Sequence, residues 1–279
     1  MRVEVLVTGA SSPLGDVVLP RLVQDYGSVG ATVRSPAAKS RVVAAGAIPI
    51  ECDLTDIPDL DVSADSFVHL AGIGFNAAAA SLIRLSGASR AVAISSASAA
   101  EVGHPRSRAV RAAEEKFLQL LVGASILRPT MIYGSPRERS VSRLVSMCRR
   151  VPAVPRVTGG GLLMPVFADD VAEAIVETLR GTPTQEATPV GGPVALRLGQ
   201  IVDSICGLLN RRQIEVAVPL GAPVTLANRF GSPTSKLVHA VQMLERDRLV
   251  PTPEAAGFQY RPTQFDDGLK RAVRRYEKR

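Results

Sequence analysis

No tryptophan occurs among the 279 residues, and aromatic residues make up only 4% of the chain. Single-stranded nucleic acids are held by aromatic side chains stacked on bases beside a basic groove. With so few rings and no nucleic-acid-binding motif, the net charge of +7 is not read as a nucleic-acid footprint. Cysteine is sparse as well. Cys52, Cys148 and Cys206 are an odd number, far apart and without metal-ligand spacing. They read as buried thiols of a reducing compartment, so neither a disulfide framework nor a metal site is expected. Long apolar runs are missing, and no stretch approaches the length of about eighteen residues that reads as a membrane span. The N-terminus lacks a basic, apolar and small-residue leader pattern and enters directly into an apolar run. The expectation is a cytoplasmic protein with no membrane span.

What is present suits a globular chain: 46% apolar and 21% charged residues. The length fits one large domain, or one and a half. Charge is uneven, with seven basic and nine acidic residues over 1–100 but twenty-six and seventeen over 101–279. The excess between Arg106 and Arg150 has two readings, an anionic substrate or a solvated surface. The terminal run from Lys270 to Arg279 reads as a solvated helix face or a frayed end.

The chain is organised around its first fifteen residues. Val3, Val5, Leu6 and Val7 form a short apolar run that reads as a buried strand. Thr8-Gly9-Ala10-Ser11-Ser12-Pro13-Leu14-Gly15 follows, and then Val17, Val18, Leu19, Leu22 and Val23 at helical spacing, interrupted by Pro20. A strand, a glycine turn and a helix open a dinucleotide-binding βαβ unit. Glycine permits the sharp turn, and free N–H groups at the helix start suit a diphosphate. Gly9 and Gly15 keep the outer glycine positions, whereas Ser12 takes the middle one. Pro13 has no N–H, so phosphate contacts at that point must come from Ser12, Leu14 or Gly15.

Further short strands alternate with helical patterns, as in a doubly wound parallel sheet. Val29–Val33 is the second strand, and Ser35-Pro36 reads as a helix cap with proline at the first helical position. NAD sites usually carry an acid at the end of this strand. Here Arg34 stands there, followed by Ser35, Lys39 and Arg41, so NADP is the expected cofactor and NAD the second choice. A third strand, 47–50, leads to Asp53, placed to bond adenine. The next, 66–72, is apolar except for His69, read as a satisfied core residue. Helices are expected over 77–85 and ending at 118–122, and strands at 91–94 and 125–127.

Six tracts then resemble the short-chain dehydrogenase/reductase superfamily in its extended or atypical branch. They are Val7-Thr8-Gly9-Ala10-Ser11, Asp53-Leu54-Thr55-Asp56, Val68-His69-Leu70-Ala71-Gly72 and Ile94-Ser95-Ser96, then the stretches 126–134 and 165–172. Tracts at 190–193 and 257–262 extend the resemblance to bacterial nucleotide-sugar-epimerase-like proteins, a group that also resembles an accessory subunit of respiratory complex I. The resemblance implies an α/β fold: a Rossmann-type doubly wound parallel sheet with a smaller mixed C-terminal substrate-binding region. The nucleotide domain covers 1–155 and returns with 165–195, and the capping region covers 156–279. Cofactor contacts are implied for Gly9, Ser11, Ser12, Pro13, Leu14, Gly15, Arg34, Asp53, Leu54, Leu70, Ala71, Gly72, Arg111 and Pro129.

The family's proton transfer needs a tyrosine with a lysine four residues later. This sequence lacks that pair. Anchoring the family helix on Glu115 puts Arg111 in the lysine slot and Ser107 in the tyrosine slot; anchoring on Glu114 gives Val110 and Arg106. Ser96 or Ser98 suits the serine at the fifth strand's end, and His104 is an outside candidate for acid/base work. Downstream, Asp170 and Glu173 have capping-box spacing. Gly159-Gly160-Gly161 reads as a turn and flexible flap, and helices are expected over 200–209 and near 235–244. Two functions follow: an NADP-linked oxidoreductase or epimerase acting on a nucleotide sugar or similar small molecule, or a catalytically degraded cofactor-binding sensor, regulator or complex subunit. The expected assembly is a monomer or a homodimer.

Overall fold

The computed structural model describes residues 1–100, 105–151, 153–220 and 244–277. Seven parallel strands make the main sheet: β1 (Arg2–Thr8), β2 (Val29–Val33), β3 (Ile48–Glu51), β4 (Ser63–His69), β5 (Arg90–Ile94), β6 (Ala124–Pro129) and β10 (Ala187–Val190). Their spatial order is β10-β6-β5-β4-β1-β2-β3. The chain runs outward from β1 to β3 and then returns to β4 on the other side of β1. The strand order therefore reverses between β1 and β4, the place where open α/β sheets bind ligands.

Both faces of the sheet are covered, which is why its central strands carry apolar residues in succession. Val5 and Val7 face a core shared with α1 (Gly15–Asp25), α2 (Pro36–Ala44) and α6 (Ala168–Arg180), through Val18, Leu22, Val42 and Ile175. Leu6 and Phe67 face the opposite core, with Leu82 of α3 (Asn76–Ser86) and Phe117 of α4 (Pro105–Leu118). A 3-10 turn, Ala97–Ala100, joins β5 to the segment before α4.

A third core lies beyond β6. It gathers Tyr133 of β7 (Ile132–Tyr133), Val145 and Cys148 of α5 (Val141–Arg150), Ile201 and Ile205 of α7 (Leu198–Leu208), and Leu269 of α8 (Phe265–Glu277). Two small parallel ladders accompany it. One pairs β7 with β9 (Val166–Phe167), and the other pairs β8 (Val154–Thr158) with β11 (Gln213–Pro219).

The helix α1 runs through Pro20 to Asp25, as the spacing of Leu22 and Val23 implies. Other sequence expectations need correction. Asp170 and Glu173 form no capping box, because α6 is preceded by Phe167 and has no side-chain cap. Asp170 instead accepts from the Thr263 N–H and hydroxyl, at 2.8 and 2.6 Å, and Glu173 pairs with Arg21 of α1. The glycine run makes the expected turn, with Gly159 and Gly160 at positive φ and Gly159 beside open space, and is tied down at its end. The Gly161 N–H donates to Leu244 O at 2.8 Å, and a Cβ on Gly161 would meet the Arg246 backbone at 2.2 Å. Most of the helix expected near 235–244 lies outside the described residues.

Candidate functional site

The turn after β1 lies at the strand reversal. Gly9 has φ +70°, and a Cβ there would stand 2.3 Å from the Ala71 nitrogen beyond β4. Only glycine lets the two loops touch in this way. The Ser12 N–H donates to Gly9 O at 2.9 Å, and the Gly15 N–H donates to Ser12 Oγ at 3.1 Å. Gly15 is needed for packing as well, since a Cβ would lie 2.1 Å from Ala10 O. Of the three donors expected to meet phosphate, Ser12 and Gly15 thus use their N–H groups within the turn. Among the described residues, the N–H groups of Ser11 and Leu14 have no protein acceptor. Pro13 is exposed beside them.

A cleft of about 660 Å³ opens at the ends of β2 and β3, lined by Arg34, Ser35, Lys39, Glu51 and Asp53 among others. Ser35 caps α2 by accepting from the Ala38 N–H at 3.3 Å, as its sequence position predicts. Lys39 is paired with Glu51 at 2.9 Å, so it meets an acid already in place. Arg34 is exposed and forms no ion pair among the described residues. Asp53 accepts from the Thr55 N–H and hydroxyl at 2.9 and 2.8 Å. These bonds, with the charge of Arg34 adding to them, hold its carboxyl below the usual range. Leu54 packs against the sheet's core, Leu70 is buried, and Gly72 borders open space.

The ends of β5 and β6 complete the crevice. Ser96 Oγ and Ser98 Oγ lie 2.9 Å apart. Ser107 donates its hydroxyl to Ser98 O at 2.9 Å, and Arg111 donates to Ala99 O at 2.7 Å. The helix α4 therefore lays Ser96, Ser98, Ser107 and Arg111 together around the 3-10 turn. Glu114, not Glu115, is the buried glutamate, and it forms a two-pronged pair with Arg128 of β6. Pro129, next to it, is buried and pairs with Val190. His104 lies outside the described residues.

None of the tyrosines is offered to this crevice. Tyr133 is fully buried and donates to Phe265 O. Tyr276 donates to Glu138 at 2.5 Å. Burial raises the phenol pKa of Tyr26, Tyr133, Tyr260 and Tyr276 alike. His69 is a core residue, as expected, with Nδ1 2.7 Å from Thr8 Oγ1, but its Nε2 has no partner. Burial pushes its pKa down to about 4.

Sequence reasoning passed over two residues at the first turn. Arg137, from the segment between β7 and α5, reaches Asp16 and the carbonyls of Ser11 and Ser12. Its partners are more than a hundred positions away, so no local pattern announces the contact. Among the described residues, no cluster of three or more His, Cys, Asp or Glu side chains could hold a metal ion, and no helix could cross a membrane.

No family profile and no curated protein matches this sequence. Solved structures do match its fold. A nucleoside-diphosphate-sugar epimerase from Pseudomonas aeruginosa aligns with TM-score 0.75 at 16% identity, over 99% of this chain and 98% of that one. A triphenylmethane reductase from Citrobacter sp., complexed with NADP(H), gives 0.75 at 15% identity, over 96% and 99%. A UDP-glucose 4-epimerase from Thermotoga maritima, solved with UDP-glucose, gives 0.73 at 16% identity, over 100% and 99%. The chain is similar to all three along its length, and identity this low establishes the shared Rossmann-like fold.

Proposed function

We propose that this chain binds NADP, with NAD as the weaker choice, along the ends of β2, β1, β4 and β5. In this reading it acts as an oxidoreductase- or epimerase-like protein on a nucleotide sugar or a similar carbonyl or hydroxyl compound. One observation carries the reading: the N–H groups of Ser11 and Leu14 stand without acceptors after β1, and Arg34, at the end of the neighbouring strand β2, lines a cleft and forms no salt bridge among the described residues. Donors at a helix start suit the diphosphate, and a guanidinium at the end of β2 suits a 2′-phosphate. In this reading Asp53 bonds the adenine, and the small residues Gly9, Ala71 and Gly72 let the dinucleotide pass close to the backbone.

A bound nicotinamide would supply the hydride chemistry. The chain's own residues would bind and orient. Ser96 and Ser98 offer hydroxyls to a substrate oxygen, and Arg111 offers a fixed positive charge beside Ser107. Neither Ser107 nor Arg111 is suited to move a proton near neutral pH, because a hydroxyl is too weak an acid and a guanidinium does not deprotonate. Positioned acid/base groups contribute roughly 100- to 10,000-fold to such reactions.

That shortfall supports a second reading, a dinucleotide-binding sensor, regulator or subunit without fast hydride transfer. The choice of alignment does not remove it: the buried Glu114 suits Arg106 and Val110 in the family's tyrosine and lysine slots, whereas the contacts of Ser107 and Arg111 with the 3-10 turn suit those two residues. Both alignments lack a phenol. The two readings separate in one experiment. Loss of reduced-nicotinamide absorbance is followed while UDP-sugars, aldehydes and ketones are screened at saturating NADPH, and UDP-sugar interconversion is assayed in parallel. Fast turnover supports the enzyme, whereas tight cofactor binding without turnover supports the sensor.

A further inference from the structure

Arg137 makes a network of bonds to the first turn that the proposed chemistry leaves unexplained. Its Nε donates to Asp16 Oδ2 at 2.7 Å, and its Nη2 donates to Asp16 Oδ1 at 2.8 Å. The same Nη2 reaches Ser11 O at 2.7 Å and Ser12 O at 3.1 Å. The Asp16 side chain is only 14% exposed, so this pairing is its main environment. Arg137 is itself held in place. Its neighbour Glu138 accepts from the Ser142 N–H at 2.7 Å and from the Tyr276 hydroxyl of α8.

Asp16 stands in the first turn of α1. A carboxylate there is favourable while the helix end is otherwise free of anions. It repels an incoming diphosphate at the same place, and a partly buried charge is screened little by salt. The two carbonyls held by Arg137 belong to the peptide planes between the Ser11 and Leu14 N–H groups. Holding those planes restrains the adjoining planes, which carry both donors.

We propose that Arg137 is a positioning residue for the dinucleotide, cancelling the charge of Asp16 and holding the first turn so that Ser11 and Leu14 face the diphosphate. This inference rests on the dinucleotide reading above. The diphosphate is common to NADP and NAD, so the effect of Arg137 is the same on both, unlike that of Arg34.

The test is a titration of NADPH and NADH against the full chain and four variants: Arg137→Ala, Arg137→Lys, Asp16→Asn, and Asp16→Asn with Arg137→Ala. Melting of each free variant is measured to confirm folding. Loss of a charge-assisted contact predicts affinity roughly 10- to 100-fold weaker for both cofactors in Arg137→Ala. Arg137→Lys, which keeps charge but not the fork, falls between. Asp16→Asn binds as tightly as the unmodified chain or tighter, and the double variant recovers most of the loss. A merely structural strap predicts the opposite, with Asp16→Asn weakened and the double variant no better than Arg137→Ala. That result, or unchanged affinity in Arg137→Ala, overturns this inference alone. Failure of the unmodified chain to bind either cofactor overturns the dinucleotide reading first and the inference with it.

Discussion

Glu114 Oε1 accepts from Arg128 Nε at 2.9 Å while its other oxygen meets Arg128 Nη2, so helix α4 is clamped to the end of β6 by a two-pronged ion pair. The Glu114 side chain is 3% exposed and the Arg128 side chain 22%. Removing one partner of such a pair leaves a charge poorly solvated, at a cost of about 3 kcal/mol or more. Glu114→Ala is therefore expected to lower stability in urea by that order. Glu115→Ala, at an exposed position, should stay within about 0.5 kcal/mol of the unmodified chain. Equal effects at the two sites would show that the clamp contributes little.

Gly9 and Gly72 both belong to the expected cofactor contacts, yet they differ in what surrounds them. A Cβ on Gly9 collides with the Ala71 backbone at positive φ, whereas a Cβ on Gly72 meets nothing within 4 Å. Gly9→Ala is expected to cost about 2 kcal/mol or more without any cofactor present. Gly72→Ala should melt at the unmodified temperature. A melting curve for each checks both statements, and an unaffected Gly9→Ala would refute the close loop contact.

His69 ties stability to pH. Its pKa is lowered by burial from the model-peptide value to about 4, so between pH 6.5 and 4 the unfolded chain binds more protons than the folded one. Stability from this group is complete above the unfolded value and is lost as pH falls through the folded value. The loss is about 2 kcal/mol by pH 5. His69→Gln should flatten that part of the stability–pH curve. An unchanged slope would mean that His69 is protonated as easily folded as unfolded.

A phenol can be restored in either alignment. Arg106→Tyr with Val110→Lys follows the buried Glu114, and Ser107→Tyr with Arg111→Lys follows Glu115. The second pair keeps to the positions that α4 holds against the 3-10 turn beside Ser96 and Ser98, and is expected to raise single-turnover hydride transfer from bound NADPH about 100-fold or more, given the usual size of acid/base effects. The first pair puts a lysine at Val110, which packs against the sheet's core, and should raise it less. A larger gain from the first pair would reverse the alignment.

Six strands of the main sheet were legible in the sequence because each is a short apolar run ended by a small, charged or turn-forming residue, whereas β10, Ala-Thr-Pro-Val, carries no such run. Val29–Val33 and the Ser35 cap stand where the pattern puts them. The first turn was legible for the same reason, since glycine spacing is local. What stayed hidden depends on distant partners or on helical phase. Asp170 and Glu173 have the spacing of a cap, but Thr263 and Arg21 compete for them successfully. Glu114 and Glu115 are adjacent and chemically identical, and only the side that α4 buries tells them apart. The grip of Arg137 on Asp16 spans 121 positions.

In the proposed function, the crevice takes a dinucleotide and reads its 2′-phosphate through Arg34. Titration of NADPH and NADH against the unmodified chain and Arg34→Ala, followed by cofactor fluorescence, tests it most directly. One charge-assisted contact predicts NADPH bound about 10- to 100-fold more tightly than NADH, with the difference abolished in Arg34→Ala. Equal affinities in the unmodified chain, or no binding of either cofactor, would contradict it.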